Sequence, residues 1–543
     1  MTDDEPATGV EAEAASLSPG SLPPIFGGGG GEAAPPAESM GASRIAAGVR
    51  FLTYQNIVNS VLGYVFLTLM LRLLTPSEYG LYSSILLVTG IGSSVAFFGL
   101  QSAATKFVAF SSERGEEGGA FARSILSLSL AFASAATVAL VFLSPDLSLY
   151  FTKSASSAWI FAVSGAWLFS GTVSGIFQGL VQGMRSYESL AKILVGANLA
   201  MVCFTALGLW EFQSVLVPIA GWVLYGIVVT ILSFWVARGS LLKLHLTDES
   251  KAVGNVLNYS VPLGVAGILT VITGAGDPLL VGAFLSASQM GEYFAAIAIS
   301  GGLGVILFSP LNTAFFPEAA THPDNRKRLS TGLKLALRYT TLALVPVSFA
   351  LAAMSRQVIG LFSGVPSTYL AADTSLRLLS VFFFLVAMQG ILTSLLLSTG
   401  KTVQVMIIGA ATVVLDIALS VALVPSFGIL GATVSRILVD VAGLGVALYL
   451  TREFIGGAID FRFEGKVLVT SVLIFLTLYA LSALISFRPA TLLPYSIVAG
   501  AVFIFSDWSM HILTDADKKN LLHFLPPYIG KYVRPYLRIQ NPN

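Results

Sequence analysis

Runs of about twenty apolar residues recur along this chain from Thr53 almost to Leu513, separated by short stretches rich in Gly, Pro and charged residues. Each run is long enough for an α-helix to cross a hydrocarbon core of roughly 30 Å. Because a bilayer core offers no water to backbone N–H and C=O groups, a spanning segment must satisfy them itself, as a helix does. The runs therefore predict an all-α integral membrane protein.

Composition and the rare metal-binding residue types exclude several other classes. Hydrophobic residues make up 55% of the 543 residues and charged residues 11%, whereas roughly a quarter of a soluble protein is charged. A net charge of +1 gives no reason to expect nucleic acid as a partner. Cys203 is the single cysteine and the four histidines lack ligand spacing, so we expect no disulfide, metal site or other cofactor.

The Gly, Pro and charged residues between the runs divide them into fourteen predicted transmembrane helices, twelve of them in two sets of six. Their centres lie near Gly63, Ser93, Phe132, Phe169, Ala200, Tyr225, Gly267, Gly304, Pro346, Ala387, Val413, Asp440, Phe475 and Phe503.

The chain divides into six predicted segments. Residues 1–43 are rich in Ala, Gly, Pro and Ser without Lys or Arg, which is typical of a disordered tail. Residues 238–254 mix leucines with basic residues, as an amphipathic linker on the membrane surface does. The full division is 1–43 (cytoplasmic tail), 44–237 (N-terminal six-helix lobe), 238–254 (linker), 255–453 (C-terminal six-helix lobe), 466–513 (helices thirteen and fourteen) and 514–543 (basic and aromatic cytoplasmic tail).

The distribution of Lys and Arg predicts the orientation. If the N-terminus is cytoplasmic, all but six of the 30 basic residues fall on the cytoplasmic side; the exceptions are Arg72, Lys153, Arg356, Arg377, Arg488 and Arg436, the last inside a span. Basic residues collect in cytoplasmic loops. We therefore expect a multi-pass protein of the cell membrane with both termini cytoplasmic.

A short segment repeats after the first and the seventh predicted span. The first copy reads Leu74-Thr-Pro-Ser-Glu-Tyr-Gly80-Leu-Tyr82, and the second, 211 residues later, reads Leu285-Ser-Ala-Ser-Gln-Met-Gly291-Glu-Tyr293. A weaker similarity, Gln182-Gly183-Met184-Arg185 and Thr399-Gly400-Lys401-Thr402, follows the fourth and tenth spans. Six spans per repeat is an even number, so the two copies are predicted to be parallel about an axis along the membrane normal.

These motifs carry a family resemblance. Leu73-Leu-Thr-Pro-Ser-Glu-Tyr-Gly-Leu-Tyr82 resembles the first external turn of Wzx-type oligosaccharide flippases. The stretch from Pro346 to Phe362, followed by Tyr369-Leu-Ala-Ala372, is similar to their ninth span and the loop after it, and Gly428-Ile-Leu-Gly-Ala432 to the start of their twelfth. The resemblance covers residues 44–513. It is shared across the multidrug/oligosaccharidyl-lipid/polysaccharide (MOP) exporter superfamily, and the two additional spans favour its flippase branches.

The resemblance implies a fold, a function and partners. It implies two pseudo-symmetric six-helix lobes that move a lipid-linked oligosaccharide across the membrane by alternating access, with helices thirteen and fourteen forming a groove for the lipid tail. The implied partners are this polyprenyl-phosphate-type glycan, membrane lipids and glycan-assembly enzymes, and no oligomer is required.

Four ionisable residues lie inside predicted spans, where charge is costly. Asp416 and Arg436 are equally far from the turn at Ser426, and Asp440 lies one helical turn beyond Arg436; they predict an ion pair within one hairpin, or an Arg436 partly free to bind an anionic substrate. Asp277 lies in Gly274-Ala-Gly-Asp-Pro278. A helix loosened there suits a coupling Na⁺ or H⁺; the alternative is a hinge with an interfacial Asp.

Amides and one arginine cluster where the spans begin. Gln55 and Asn59 share a helical face close to Arg50. Such amides often form only interhelical hydrogen bonds, but their concentration at the starts of spans one and seven favours a polar substrate cavity. The candidate cavity residues are Arg50, Gln55, Asn56, Asn59, Gln178, Gln182, Asn255, Asn258 and Arg436.

Three alternative functions differ in the residues that they require. A cation-coupled multidrug or metabolite exporter of the same superfamily would use Asp277 as a coupling residue. A membrane-embedded glycosyltransferase or polymerase would need paired acids on a large external loop, and the external loops are short, the first offering only Glu78; we therefore expect no enzyme. A membrane scaffold without transport activity is the third.

Overall fold

The computed structural model describes residues 37–114, 118–241, 249–302, 325–365, 368–455, 460–484, 491–514 and 517. All regular structure in these ranges is helical, which confirms the predicted class. Side chains of residues 37–50 lie outside the description, as do the tails at 1–36 and 518–543.

The first half of the bundle, residues 51–241, holds the first six predicted spans. Its helices are α1 (Ala37–Leu73), α2 (Pro76–Phe97), α3 (Leu100–Arg114), α4 (Gly118–Thr152), α5 (Ala158–Val163), α6 (Gly165–Gly183), α7 (Tyr187–Phe212) and α8 (Leu216–Leu241).

The second half, residues 249–455, holds the next six spans, and two further helices follow it. These helices are α9 (Glu249–Phe284), α10 (residues 287–302), α11 (Arg326–Ala353), α12 (Ser355–Ser363), α13 (Ala372–Ser398), α14 (Thr402–Phe427), α15 (Ile429–Ile455), α16 (Phe461–Leu484) and α17 (Leu492–Met510).

Twelve helices of the described ranges are long and apolar enough to cross a membrane, and each contains one of the fourteen predicted span centres. The other two centres are Gly267, which lies inside the 36-residue helix α9, and Gly304, which lies just beyond the described end of α10. α16 packs against α11 of the second half and α17 against α16.

The ends of the helices form two faces. We call the end that carries the two repeat turns, at residues 74–75 and 285–286, the turn face. The opposite end carries the connections at residues 184–186 and 399–401, and we call it the basic face.

The second predicted span differs from the expected continuous helix. α2 ends at Phe97; the capping residue Phe98 has a φ of 39°, and Gly99 follows with a φ of 76° before α3 begins. A Cβ on Gly99 would lie 2.4 Å from the carbonyl oxygen of Ser260 in α9. Glycine meets both requirements, a positive φ and a close backbone approach, so the break brings α3 against α9.

The two repeat turns have the same local structure. Thr75 and Glu78 form a capping box at the start of α2, in which each residue's side chain binds the other's backbone N–H. Ser286 and Gln289 form the corresponding pair of bonds at the start of α10, at 3.2 and 3.4 Å. The repeat seen in the sequence is therefore a repeated helix start.

The two copies also contact each other directly. A Cβ added to Gly80 would lie 1.7 Å from the carbonyl oxygen of Ala287, and one added to Gly291 would lie 2.1 Å from that of Pro76. Pro76 and Ala287 are themselves equivalent at the 211-residue offset. The contact is thus reciprocal, as a two-fold relation between the halves requires, and both halves come together there at the turn face.

Hydrogen bonds reinforce this junction. Arg72 Nη2 donates to the carbonyl oxygen of Leu361 at 2.8 Å, and the Tyr369 hydroxyl donates to that of Leu74 at 3.3 Å. Lys153 Nζ donates to the carbonyl oxygen of Gly282 at 3.0 Å, near the C-terminus of α9. Desolvation there lowers the pKa of the Lys153 ammonium. A cation at a helix C-terminus is favourable, so Lys153 also joins the halves.

Candidate functional site

A partly buried ion pair joins α9 to α15. Arg436 Nη1 lies 2.8 Å from Asp277 Oδ1 and 2.9 Å from Oδ2, and the side chain of Asp277 is almost completely buried. The Tyr293 hydroxyl of α10 donates a hydrogen bond to the same carboxylate. One charge of Asp277 is thus matched by one charge of Arg436 and stabilised by a phenol.

Two more carboxylates complete what we call the ionic cluster: Asp277, Tyr293, Asp416, Arg436 and Asp440. Asp416 Oδ2 accepts the backbone N–H of Asp277 at 3.0 Å, and Asp416 Oδ1 accepts from Ser420 at 3.3 Å. Asp440 is half-buried one turn beyond Arg436 and has no hydrogen-bond partner within the described ranges. The cluster holds three carboxylates and one guanidinium, so it carries more acid than base.

This arrangement corrects the predicted pairing. We predicted an ion pair between Asp416 and Arg436 in one hairpin, but the structure pairs Arg436 with Asp277 of a third helix. Two residues at equal depth in the membrane need not be in contact, because depth does not determine which helical faces pack together. Here α9 packs against both α14 and α15, and a Cβ on Gly276 would lie 2.2 Å from Asp416 Oδ2. Because Gly276 has no side chain, α14 approaches α9 closely, and the Asp416 carboxylate contacts the backbone of α9.

The helix around Asp277 also differs from the prediction. α9 runs without interruption from Glu249 to Phe284 with Pro262 and Pro278 inside it, so the expected loosened or broken helix is not present. Proline removes one backbone donor from a helix. The Asp416 carboxylate accepts the N–H immediately before Pro278 and so ties α14 to α9 at this point.

The corresponding part of the first half is aromatic. Trp222 Nε1–H donates to the Tyr82 hydroxyl at 2.9 Å. Tyr82 stacks on Trp167 with ring centroids 6.1 Å apart, and Trp167 stacks on Trp222 at 5.4 Å. Phe66 packs edge-on against Trp222 at 6.1 Å. We call Phe66, Tyr82, Trp167 and Trp222 the aromatic cluster.

A polar cavity opens where α3, α6 and α9 meet, on the basic-face side of the break at Gly99. Its volume is about 510 Å³, and its lining is mainly polar. The lining residues are Gln101, Ser102, Thr105, Lys106, Gln182 and Tyr259.

A glycine stripe on α6 positions this cavity. Gly175, Gly179 and Gly183 recur every four residues, and a Cβ on Gly179 would lie 2.6 Å from the carbonyl oxygen of Gln101. Small residues at this spacing let membrane helices approach closely. The Thr105 hydroxyl accordingly reaches the carbonyl oxygen of Gly179 at 3.2 Å. The stripe therefore brings the polar side chains of α3 beside Gln182.

Lys106 supplies the positive charge of the cavity. Its ammonium lies 3.9 Å from the centre of the Tyr259 ring, a cation–π contact between α3 and α9. The side chain is exposed, and it has no acidic partner within the described ranges. Sequence reasoning missed Lys106, Gln101 and Thr105 because it treated this segment as a cytoplasmic loop; Gly99, which breaks the helix, was the available signal.

The structure brings few of the predicted cavity residues together. Of the nine, Gln182 is the one that lines this cavity within the described residues. The Asn198 side chain donates to Asn59 Oδ1 at 3.1 Å, an interhelical hydrogen bond. Gln55 is buried and donates to Asn56 at 3.3 Å.

The remaining predicted cavity residues lie elsewhere. Gln178 is half-buried one turn before Gln182, whereas Asn255 and Asn258 are exposed on α9 beside Tyr259. Arg436 belongs to the ionic cluster, and the side chain of Arg50 lies outside the described residues. Among the residues described, no three His, Cys, Asp or Glu side chains are placed to hold one metal ion, the three carboxylates of the ionic cluster included.

Twelve helices long and apolar enough to cross a membrane, arranged as two repeats with an ion pair between helices, define a multi-pass membrane protein. A sequence profile of a family described as "Polysaccharide biosynthesis protein" matches residues 69–366. The chain therefore belongs to the polysaccharide biosynthesis protein family. No curated protein matches it.

Solved structures identify the fold. The chain is similar to the lipid II flippase MurJ in an inward closed conformation, with a TM-score of 0.69, 14% identity, and coverage of 84% of this chain and 98% of that one. It is also similar to an inward-facing MATE multidrug transporter (TM-score 0.60, 14% identity, coverage 74% and 94%). A third similar structure is the eukaryotic MATE transporter AtDTX14 (TM-score 0.55, 15% identity, coverage 79% and 100%). The fold is that of the MOP exporters, as the sequence motifs predicted.

Proposed function

We propose that this protein is a flippase that moves a lipid-linked oligosaccharide across the cell membrane for the assembly of a surface glycan. Membership of the polysaccharide biosynthesis family supports the substrate class. The observation that carries the proposal is the cavity at α3, α6 and α9, because it combines the Lys106 cation with amides and hydroxyls. A phosphate-linked sugar requires these groups: a cation for the phosphate and hydrogen-bonding side chains for the sugar hydroxyls.

The transport path follows from the cost of moving a polar headgroup through hydrocarbon. Burying polar groups without partners costs roughly 2–7 kcal/mol each, so a glycan needs a polar route while its lipid tail remains in the bilayer. We propose that the basic face is cytoplasmic, that the headgroup binds beside Lys106 and Gln182, and that the halves then separate at the turn face. Helices α16 and α17 are proposed to guide the tail.

Separation at the turn face requires the contact between Gly80 and Gly291 to open. That contact is between backbones, and opening it would also release the hydrogen bonds of Arg72 with Leu361 and of Tyr369 with Leu74. The capping boxes beside it lie wholly within their own halves. Each half can therefore move as a unit, as rigid-body alternating access requires.

We further propose that Asp277 couples transport to Na⁺ or H⁺. The ionic cluster holds three carboxylates around one guanidinium, so a cation that entered it would balance excess negative charge. The coupling would act by competing with Arg436 for Asp277. The test compares transport by Asp277→Asn/Arg436→Gln with transport by the wild type, with and without an ion gradient. Equal gradient dependence in both would contradict the coupling role.

Depletion in the producing cell tests the main proposal. Lipid-linked sugars are extracted, and an impermeant reagent reports the leaflet that holds the glycan. We expect a complete lipid-linked glycan to accumulate on the cytoplasmic side and its mass to identify the substrate. No change in any lipid-linked glycan, in a cell without a second flippase, would contradict the proposal and favour the multidrug or metabolite exporter.

Complementation with two lysine variants connects this result to the cavity. Lys106→Gln removes the cation of the cavity, whereas Lys192→Gln removes an exposed lysine that pairs with Glu188 at 2.7 Å. Both variants lose one charge. We expect accumulation to persist with Lys106→Gln and to be relieved by Lys192→Gln. If both relieve it equally, the cavity at α3 is not the headgroup site.

A further inference from the structure

A second cavity lies on the basic face, between the start of α11 and the end of α15. Its volume is about 540 Å³. α11 contributes Arg326, Lys327, Ser330, Thr331 and Lys334, and α15 contributes Glu453 and Phe454. We call it the basic cleft. Glu453 is seventeen residues beyond Arg436, about 25 Å along α15 at 1.5 Å per residue, so the basic cleft is separate from the ionic cluster.

The side chains of α11 face the cleft because of their spacing. Lys327, Thr331 and Lys334 are three or four residues apart, and residues at this spacing lie on one helical face. The Thr331 hydroxyl donates to the backbone oxygen of Lys327 at 3.0 Å. Leucines alternate with this row on the buried side, where Leu329, Leu333 and Leu337 pack into the core. The polar row is thereby held toward the cleft.

Glu453 does not neutralise the cleft. Its Oε1 binds Lys401, and Arg326 Nη2 lies 3.9 Å from its Oε2. The Arg326 Nε–H also donates to the Glu453 backbone oxygen at 2.8 Å. These two cations already balance the carboxylate. Lys327 and Lys334 remain without an acidic partner among the residues described, and both are exposed.

One wall of the cleft is apolar. The Phe454 ring lies below two cations, with the Lys401 ammonium 4.9 Å and the Arg326 guanidinium 6.0 Å from its centre. Leu335 is 43% exposed immediately after Lys334. Two ammonium groups without an acidic partner among the described residues, two hydroxyls and the exposed Leu335 beside them suit a ligand whose phosphate is attached to an apolar body.

We propose that the basic cleft binds a phosphate group, with Lys327 and Lys334 as its ligands and Ser330 as a hydrogen-bond donor. An anionic phospholipid at the membrane surface is one source of this group, and basic pockets between transmembrane helices bind such headgroups. Free phosphate is the other source. The site is distinct from the glycan cavity beside Lys106 and does not depend on the transport proposal.

Binding to the purified full-length protein in neutral detergent tests this proposal. The probes are dihexanoyl phosphatidylglycerol, dihexanoyl phosphatidylcholine and inorganic phosphate, and the readout is the increase in thermal unfolding midpoint as each is titrated. We expect phosphatidylglycerol to raise the midpoint and phosphatidylcholine to leave it unchanged. An equal increase with inorganic phosphate would support the site and identify free phosphate as its source.

The variant Lys327→Gln/Lys334→Gln removes both unpaired charges, and Lys192→Gln/Arg238→Gln is the control with the same change in net charge on the same face. If each lysine contributes about 1 kcal/mol near an anionic headgroup, the apparent affinity of the first variant falls on the order of thirtyfold. The control should retain wild-type affinity. The proposal is overturned if the first variant binds like the wild type, or if both variants lose affinity equally.

Discussion

Tyr82 and Tyr293 occupy the same place in the two copies of the repeat but belong to different chemistry. Tyr82 is hydrogen-bonded to Trp222 and stacks on Trp167. Tyr293 donates to Asp277, which pairs with Arg436. The difference shows that the repeat determines where a side chain lies, whereas its partners on the other helices of its half determine its chemistry.

The residues around these two tyrosines also occupy corresponding positions in the two halves. Phe66 of α1 and Asp277 of α9 are 211 residues apart, as the two tyrosines are. Trp222 and Arg436 lie nine and eight residues beyond Gln213 and Gly428, which cap the preceding helices of the two halves. Three aromatic positions in the first half are thus matched by a carboxylate, a phenol and a guanidinium in the second. The first half has the chemistry of a packed core, and the second that of an ionic network.

The largest expected effect comes from breaking the ionic cluster. Arg436→Leu leaves Asp277 buried without its counter-charge, which should lower the free energy of unfolding by about 3–5 kcal/mol. The double variant Asp277→Asn/Arg436→Leu should recover most of this loss, because a neutral buried pair carries no uncompensated charge. Unfolding by SDS in mixed micelles measures both. A double variant as unstable as the single one would mean that Arg436 stabilises through packing.

The next largest effect concerns the contact between Gly80 and Gly291, where the two halves are alike. Gly80→Ala and Gly291→Ala place a methyl group against the opposite backbone, so each should cost about 3 kcal/mol, the upper range for overpacking. Their costs should be equal because the contact is reciprocal.

Two glycines of the same helices provide the matched controls. Gly90 of α2 and Gly301 of α10 have no atom within 4 Å of an added Cβ. Gly90→Ala and Gly301→Ala should be neutral or stabilising by up to about 1 kcal/mol, since alanine favours helix. If Gly80→Ala is as stable as Gly90→Ala, the two turns do not meet in the folded protein.

The same chemical change in both clusters gives a direct comparison. Tyr293→Phe removes a hydrogen bond to a charged group and should cost about 1.5–3 kcal/mol, whereas Tyr82→Phe removes a neutral one and should cost about 0.5–1.5 kcal/mol. The unfolding free energies of the two variants, measured side by side, decide this. Equal costs would show that the carboxylate at Asp277 adds nothing to the bond.

The smallest effect concerns the amides. Asn59→Ala removes the bond from Asn198 and should cost roughly 0.6 kcal/mol, the average for such bonds in membranes. Asn258→Ala should leave stability unchanged, because Asn258 is exposed and has no hydrogen-bond partner within the described ranges. If Asn258→Ala cost more stability than Asn59→Ala, Asn258 would have to be packed inside the bundle, contrary to the structure.

Much of the fold was readable from the sequence, because spans and turns are encoded locally. Apolar length predicted the helices, and the repeat at Gly80 and Gly291 predicted the relation between the halves. The sequence located the intramembrane charges but set Asp277 apart from Asp416, Arg436 and Asp440. Their pairing was not predicted, since one sequence does not say which face of α9 contacts α14. The break at Gly99 was missed because a single glycine inside an apolar run is also compatible with an uninterrupted helix.

The reciprocal contact of Gly80 and Gly291 has the form of an isologous interface, in which residue i of one unit contacts residue j of the other and j contacts i. Two separate copies of one six-helix ancestor, inserted in the same direction, would meet through this same patch. Fusion of two such genes would preserve the contact without any new residue. The single chain would then behave as a dimer whose subunits are free to diverge everywhere except at their shared glycine.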